Sequence, residues 1–125
     1  MPHLTLEYTS NIHLEVDFQT LFLELHQVLE RVGGIEIENC KSRARRVEEY
    51  LVGDGSGNQA FVHLEVRFLT GRPLELKRKI GEALLSRVHS CYQAAMTPTG
   101  VQITVEMREM EREAYFKLPA SARRS

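Results

Sequence analysis

The sequence predicts an α+β fold in which one β-α-β unit is used twice, giving a four-stranded mixed sheet with two helices on one face. Two segments carry apolar residues at helical spacing, and each stands between stretches of strand character. Both are long enough to lead from one strand to a parallel neighbour. A glycine-rich turn between the two sets divides the chain into pattern repeats at about 2–53 and 59–108, followed by an extension over 109–125. A chain of 125 residues is a single domain by length. Folding at this size buries about two-thirds of the unfolded surface, enough for an independent core.

Residues 3–8 alternate, with Leu4, Leu6 and Tyr8 on one face and His3, Thr5 and Glu7 on the other, the period of a strand. Thr9-Ser10-Asn11 breaks it. Asp17 offers an N-cap, and Phe18, Leu21, Phe22, Leu25, Val28, Leu29 and Val32 follow as one helical stripe closed by Gly33-Gly34. The basic run Lys41 to Arg46 is read as a lead into a second strand over Val47 to Val52, and Gly53 to Asn58 as a hairpin turn. Phe61 to Leu69 alternates again, with Val62, Leu64, Val66 and Phe68 on one face. Pro73 suits the first turn of a second helix, whose stripe is Leu76, Ile80, Ala83, Leu84, Val88, Cys91 and Ala95. Thr97-Pro98-Thr99-Gly100 ends it, and Val101, Ile103, Val105 and Met107 mark the last strand. In the extension, Tyr115-Phe116 and Leu118 are apolar enough to pack on the body or on a neighbouring subunit. The sheet face away from the helices also needs cover, which points to association between copies.

A net charge of −1 argues against a general nucleic-acid or membrane-surface binder. No apolar run approaches a membrane span, and no secretory leader is evident. Cys40 and Cys91 lie far apart without C-x-x-C spacing, so reduced thiols and a cytoplasmic location are expected. The five histidines show no paired metal spacing, and 53–57 lacks the Lys-Ser/Thr of a phosphate loop. No metal is expected from these spacings.

The chemical signal is at the start. Met1 precedes Pro2, and Pro2 opens the first strand. If the initiator Met is removed, Pro2 carries a free secondary amine held at the end of a rigid element; the plain alternative is a processed, protease-resistant end. An amine whose pKa lies near working pH can act first as base and then as acid. Nearby cations and burial would lower proline's high basicity toward that range. The same cations would bind carboxylates and stabilise charge developing on a carbonyl oxygen.

Several strings sharpen this. Pro2-His3, Glu7-Tyr8-Thr9 and Asn11-Ile12 are followed by Ser42-Arg43-Ala44-x-Arg46 and Ala60-Phe61-Val62-His63. Gly71-Arg72-x-Leu74-Glu75 and Phe116-Lys117 complete the set. Each is weak alone, but in this order they span nearly the whole chain. Together they resemble the 5-carboxymethyl-2-hydroxymuconate isomerases of the tautomerase superfamily. The resemblance implies a cofactor-independent homotrimer, an amino-terminal proline as proton carrier, and isomerisation of a dienol acid in bacterial homoprotocatechuate breakdown. The expected substrate is a small unsaturated keto/enol di- or tricarboxylate.

By this resemblance Pro2 and Arg72 are the candidate catalytic residues, and Lys41, Arg43 and Arg46 the candidate substrate-binding residues. Lys41 stands where these isomerases usually carry an arginine; it keeps the charge but lacks the bidentate fork. Arg43 and Arg46 could equally be a charged strand face or a network with Glu48 and Glu49, and His63 is read as structural or near a subunit interface. Two other functions remain: a relative acting on a different enol acid, and a non-catalytic trimeric homologue that retains Met1.

Overall fold

The computed structural model describes residues 1–95 and 100–118. The helix-ending signal at Thr97-Pro98-Thr99 and the extension beyond Leu118 lie outside them. Four strands, β1 (His3–Thr9), β2 (Lys41–Val47), β3 (Ala60–Leu69) and β4 (Val101–Met110), form one sheet in the order β2-β1-β3-β4. β1 runs parallel to β2 and β3 parallel to β4, while β1 and β3 are antiparallel. Each parallel pair is bridged by a helix, α1 (Phe18–Gly33) or α2 (Leu74–Tyr92). This is the mixed sheet with duplicated β-α-β order that the periodicities predict.

The helices form for local reasons that the sequence displays. Asp17 caps α1 by accepting from the Thr20 amide at 3.3 Å. Gly34 ends it in the left-handed region at φ 67°, and its N–H donates to the Glu30 carbonyl. α2 starts one residue later than predicted: Pro73 is its N-cap with extended ψ, and the cap makes no side-chain hydrogen bond. Leu21, Leu25 and Leu29 of α1 and Ile80, Leu84 and Val88 of α2 are buried against Leu4, Leu6, Val62, Leu64 and Val66 of the sheet. Alternation places those strand residues on one face, so one apolar layer joins both helices to both central strands.

Two expectations about the middle of the chain are corrected. The second strand is the basic run Lys41–Val47 itself, not Val47 to Val52. β2 is an edge strand in this chain and is largely exposed, so backbone pairing to β1 defines it and no apolar alternation marks it. The 53–58 segment is also not a hairpin turn. β1 lies between β2 and β3, so the connection 48–59 passes from one side of β1 to the other. Asp54 accepts from the Ser56 amide and hydroxyl there, and Leu51 is 72% exposed.

The sheet face opposite the helices is polar. His3, Thr5, Glu7, Arg43, Arg45, His63, Glu65 and Arg67 line an open groove of about 800 Å³, walled at one end by Glu109 to Tyr115. His63 lies here, its Nδ1 2.6 Å from Thr104 Oγ1 and its Nε2 3.2 Å from Glu106. The extension divides its apolar residues. Tyr115 packs edge-on to His3, whereas Phe116 and Leu118 are 87% and 92% exposed on this chain.

Candidate active site

The start of β1, the start of β2 and the ends of β3 and β4 all meet at one end of the sheet, because β1 and β2 run opposite to β3 and β4. Pro2 is buried there, and its carbonyl accepts from the Lys41 amide at 3.1 Å. His3 pairs with Arg67, and the same register carried back one residue sets Pro2 opposite Phe68. The Arg72 guanidinium lies over the Phe68 ring, 5.5 Å from its centroid. Of the predicted residues, Lys41 on β2 is hydrogen-bonded to Pro2 through its backbone, and Arg72, in the connection after β3, stands over Phe68.

Positive charge concentrates around the terminus. The Met1 ammonium donates to the Asn39 carbonyl at 2.7 Å, and Lys41 Nζ donates to the same oxygen at 3.1 Å. Burial above all lowers the Met1 amine to about 5; a hydrogen bond from Lys41 and the charges of Lys41 and Lys117 act in the same direction. Arg72 is likewise lowered, first by burial and then by the charge of Arg112. An anion entering this end of the sheet meets cations from β2, from the β3–α2 corner and from the extension.

Arg43 and Arg46 are separated by the pleat. Arg43 pairs with Thr5 on the polar face, while Arg46 pairs with Tyr8 on the helix side, six residues along β1 from Pro2. That is roughly 20 Å along a strand. Arg46 is ion-paired to Glu48 at 3.1 Å. Arg43 donates from Nη2 to His3 Nδ1 at 3.0 Å, and His3 Nε2 stands 3.0 Å from the Tyr115 hydroxyl. A ring nitrogen that accepts from a guanidinium must be unprotonated, so Nε2 carries the hydrogen and donates to Tyr115. Burial first, and Arg43 next, lower His3 to about 4, which keeps the ring neutral.

His3, Arg112 and Tyr115 belong to this end of the sheet, yet neither periodicity nor spacing singles them out. Arg112 follows β4 by two residues, and only the parallel pairing of β3 with β4 brings it beside the corner that holds Arg72. The groove of about 800 Å³ on the polar sheet face has neither Pro2 nor Arg72 in its lining. The terminus and its cations converge away from that groove's floor, at the end of the sheet where β1 and β2 begin. Among the described residues no three His, Cys, Asp or Glu side chains gather as a metal site, and no helix is long and apolar enough to cross a membrane.

The model of the 5-carboxymethyl-2-hydroxymuconate isomerase family matches residues 2–124. The chain belongs to this family. It is 28% identical over 117 residues to the 5-carboxymethyl-2-hydroxymuconate Delta-isomerase of Escherichia coli, covering 94% of this chain and 93% of the relative. The crystal structure of a 5-carboxymethyl-2-hydroxymuconate isomerase from Deinococcus radiodurans R1 superposes with a TM-score of 0.84 at 33% identity, over 93% of this chain and 87% of that one. A fused 4-OT wild-type symmetric trimer shares the fold with a TM-score of 0.75 at 15% identity, over 95% of this chain and 94% of that one. The family and the α+β tautomerase-like fold expected from the sequence are thus both found.

Proposed function

We propose that this isomerase-family chain converts 5-carboxymethyl-2-hydroxymuconate, a dienol tricarboxylate, to its conjugated keto isomer without a cofactor, and that Pro2 carries the proton. The observation that supports this most is the meeting of the chain terminus with Lys41 and Arg72 at one end of the sheet. In the proposed reaction the proline nitrogen takes the enol O–H proton. The oxygen electrons form the carbonyl, the double bonds shift along the chain, and the same nitrogen returns the proton to the distant carbon. Arg72 stabilises the negative charge on oxygen while the proton is on Pro2, and Lys41 binds a carboxylate. Arg43 acts behind Pro2 through His3. Arg46, ion-paired on the helix side, would serve a site only if a neighbouring copy brought its terminus there. The proposed assembly is a homotrimer joined through the polar sheet faces.

This chemistry requires removal of Met1, because Pro2's nitrogen is otherwise an amide with no proton to exchange. Intact mass of the native protein tests that step: a mass short by one methionine is expected, and a full-length mass removes Pro2 as the base. Pro2→Ala should lower turnover by about 100-fold or more while leaving the fold and assembly unchanged. Undiminished turnover would end the proposal. Lys41 in place of the usual arginine favours a second reading, in which the preferred enol acid differs. Initial rates on a panel of enol acids, followed by ultraviolet absorbance, separate the two.

A further inference from the structure

We infer that Arg112 is a second carboxylate-binding residue of this site: its guanidinium and that of Arg72, brought together at Gly71, grip one carboxylate of the substrate. The inference takes the substrate's identity from the proposed function, but the anion site stands on its own geometry. Arg112 Nε donates to the Thr70 carbonyl at 3.0 Å, which ties the guanidinium to the β3–α2 corner, with Nη2 beside Gly71. Arg72 is held by the Phe68 ring and by a 3.5 Å hydrogen bond to the Leu69 carbonyl.

Gly71 marks the corner where Arg112 comes in. Its φ of 132° is one that residues with a side chain rarely adopt, and a Cβ there would stand 3.4 Å from Arg112 Nη2, an ordinary contact distance. Among the described residues, neither Arg72 nor Arg112 forms an ion pair, a state they share with Arg31, Arg43, Arg45 and Arg67; what sets the two apart is that both are tied to the backbone of one corner, at Leu69 and Thr70. Glu109, close by, is engaged with Lys77 at 2.9 Å, and Glu111 forms no ion pair with either arginine. α2 begins beside this pair at Leu74 with no side-chain cap, so its first amides add partial positive charge. Two fixed guanidiniums without a counter-ion repel each other, and a carboxylate between them removes that cost while accepting from both.

Calorimetric titration of the full chain with propane-1,2,3-tricarboxylate, which cannot isomerise, tests the inference without relying on turnover. Saturable binding is expected, weakened at least about tenfold in R112Q and about threefold in R112K, which keeps the charge but not the fork. R78Q, an exposed arginine elsewhere on α2, should bind as the wild type does. Thermal unfolding checks each fold, and R112K decides the question if R112Q does not fold. Wild-type binding in the Arg112 variants, or no saturable binding by the wild type, overturns the inference. Loss of binding in R112Q alongside a fully active Pro2→Ala would support Arg112 while removing Pro2's role.

Discussion

Lys41 acts on the terminus through both charge and hydrogen bonding. Its ammonium shares the Asn39 carbonyl with the chain amine and helps hold that amine well below the usual 8.0. With Met1 removed, the same cation should oppose protonation of the Pro2 nitrogen, which acts as a base only when unprotonated. The acid limb of kcat/KM is then expected below the ordinary α-amino range. K41Q should move that limb to higher pH by removing a cation that opposes protonation; a limb that stays in place refutes the coupling. His3 should be visible in stability. Its folded pKa of about 4 lies below its ordinary value of 6.5, so between these values the unfolded chain binds the extra proton. Stability should fall as pH drops from about 6.5 through about 4, and H3N, which cannot titrate, should flatten that part of the denaturation profile.

At the scale of elements, the two helices differ in how they begin and end. α1 has an aspartate cap and a left-handed glycine at its C-terminus, with nothing within 4 Å of where a Cβ would be. Gly34→Ala should then cost roughly 1–2 kcal/mol in chemical denaturation from backbone conformation alone, since no clash adds to it. α2 starts uncapped at the corner that carries Arg72, so a stabilising cap is missing where an anion would supply one. The strands differ as well. β3 reads plainly because its alternate residues are buried from Val62 to Phe68, whereas β2 carries arginines on both faces and owes its position to β1. Burial writes a period into a sequence, and backbone pairing at an edge does not.

For the whole molecule, the polar groove across the sheet and the exposed Phe116 and Leu118 set the expectation for assembly. Single chains rarely leave charged sheet faces and large apolar side chains open together unless another surface covers them. Sedimentation equilibrium should give three copies of the 14.3 kDa chain. R45E on the polar face should shift the distribution toward smaller species, and a monomeric wild-type protein would refute the trimer.

The two helices, three of the four strands and the family were legible in the chain because each left a repeating or ordered mark. Apolar stripes recur at helical spacing, alternation runs along β1, β3 and β4, and the motif strings follow one another from Pro2 to Lys117. Pro2 could be named because it is first in the chain and begins a strand. Arg112 beside Arg72, and Tyr115 as the partner of His3, could not be named that way. Arg112 lies forty residues from Arg72, and Tyr115 one hundred and twelve from His3, so only the pairing of β3 with β4 and the return of the extension bring them into contact. Side-chain identity and local period determined which elements form. The direction and register of strands distant in sequence decided which charges meet at the terminus, because Coulomb and hydrogen-bond energies depend on separation in space.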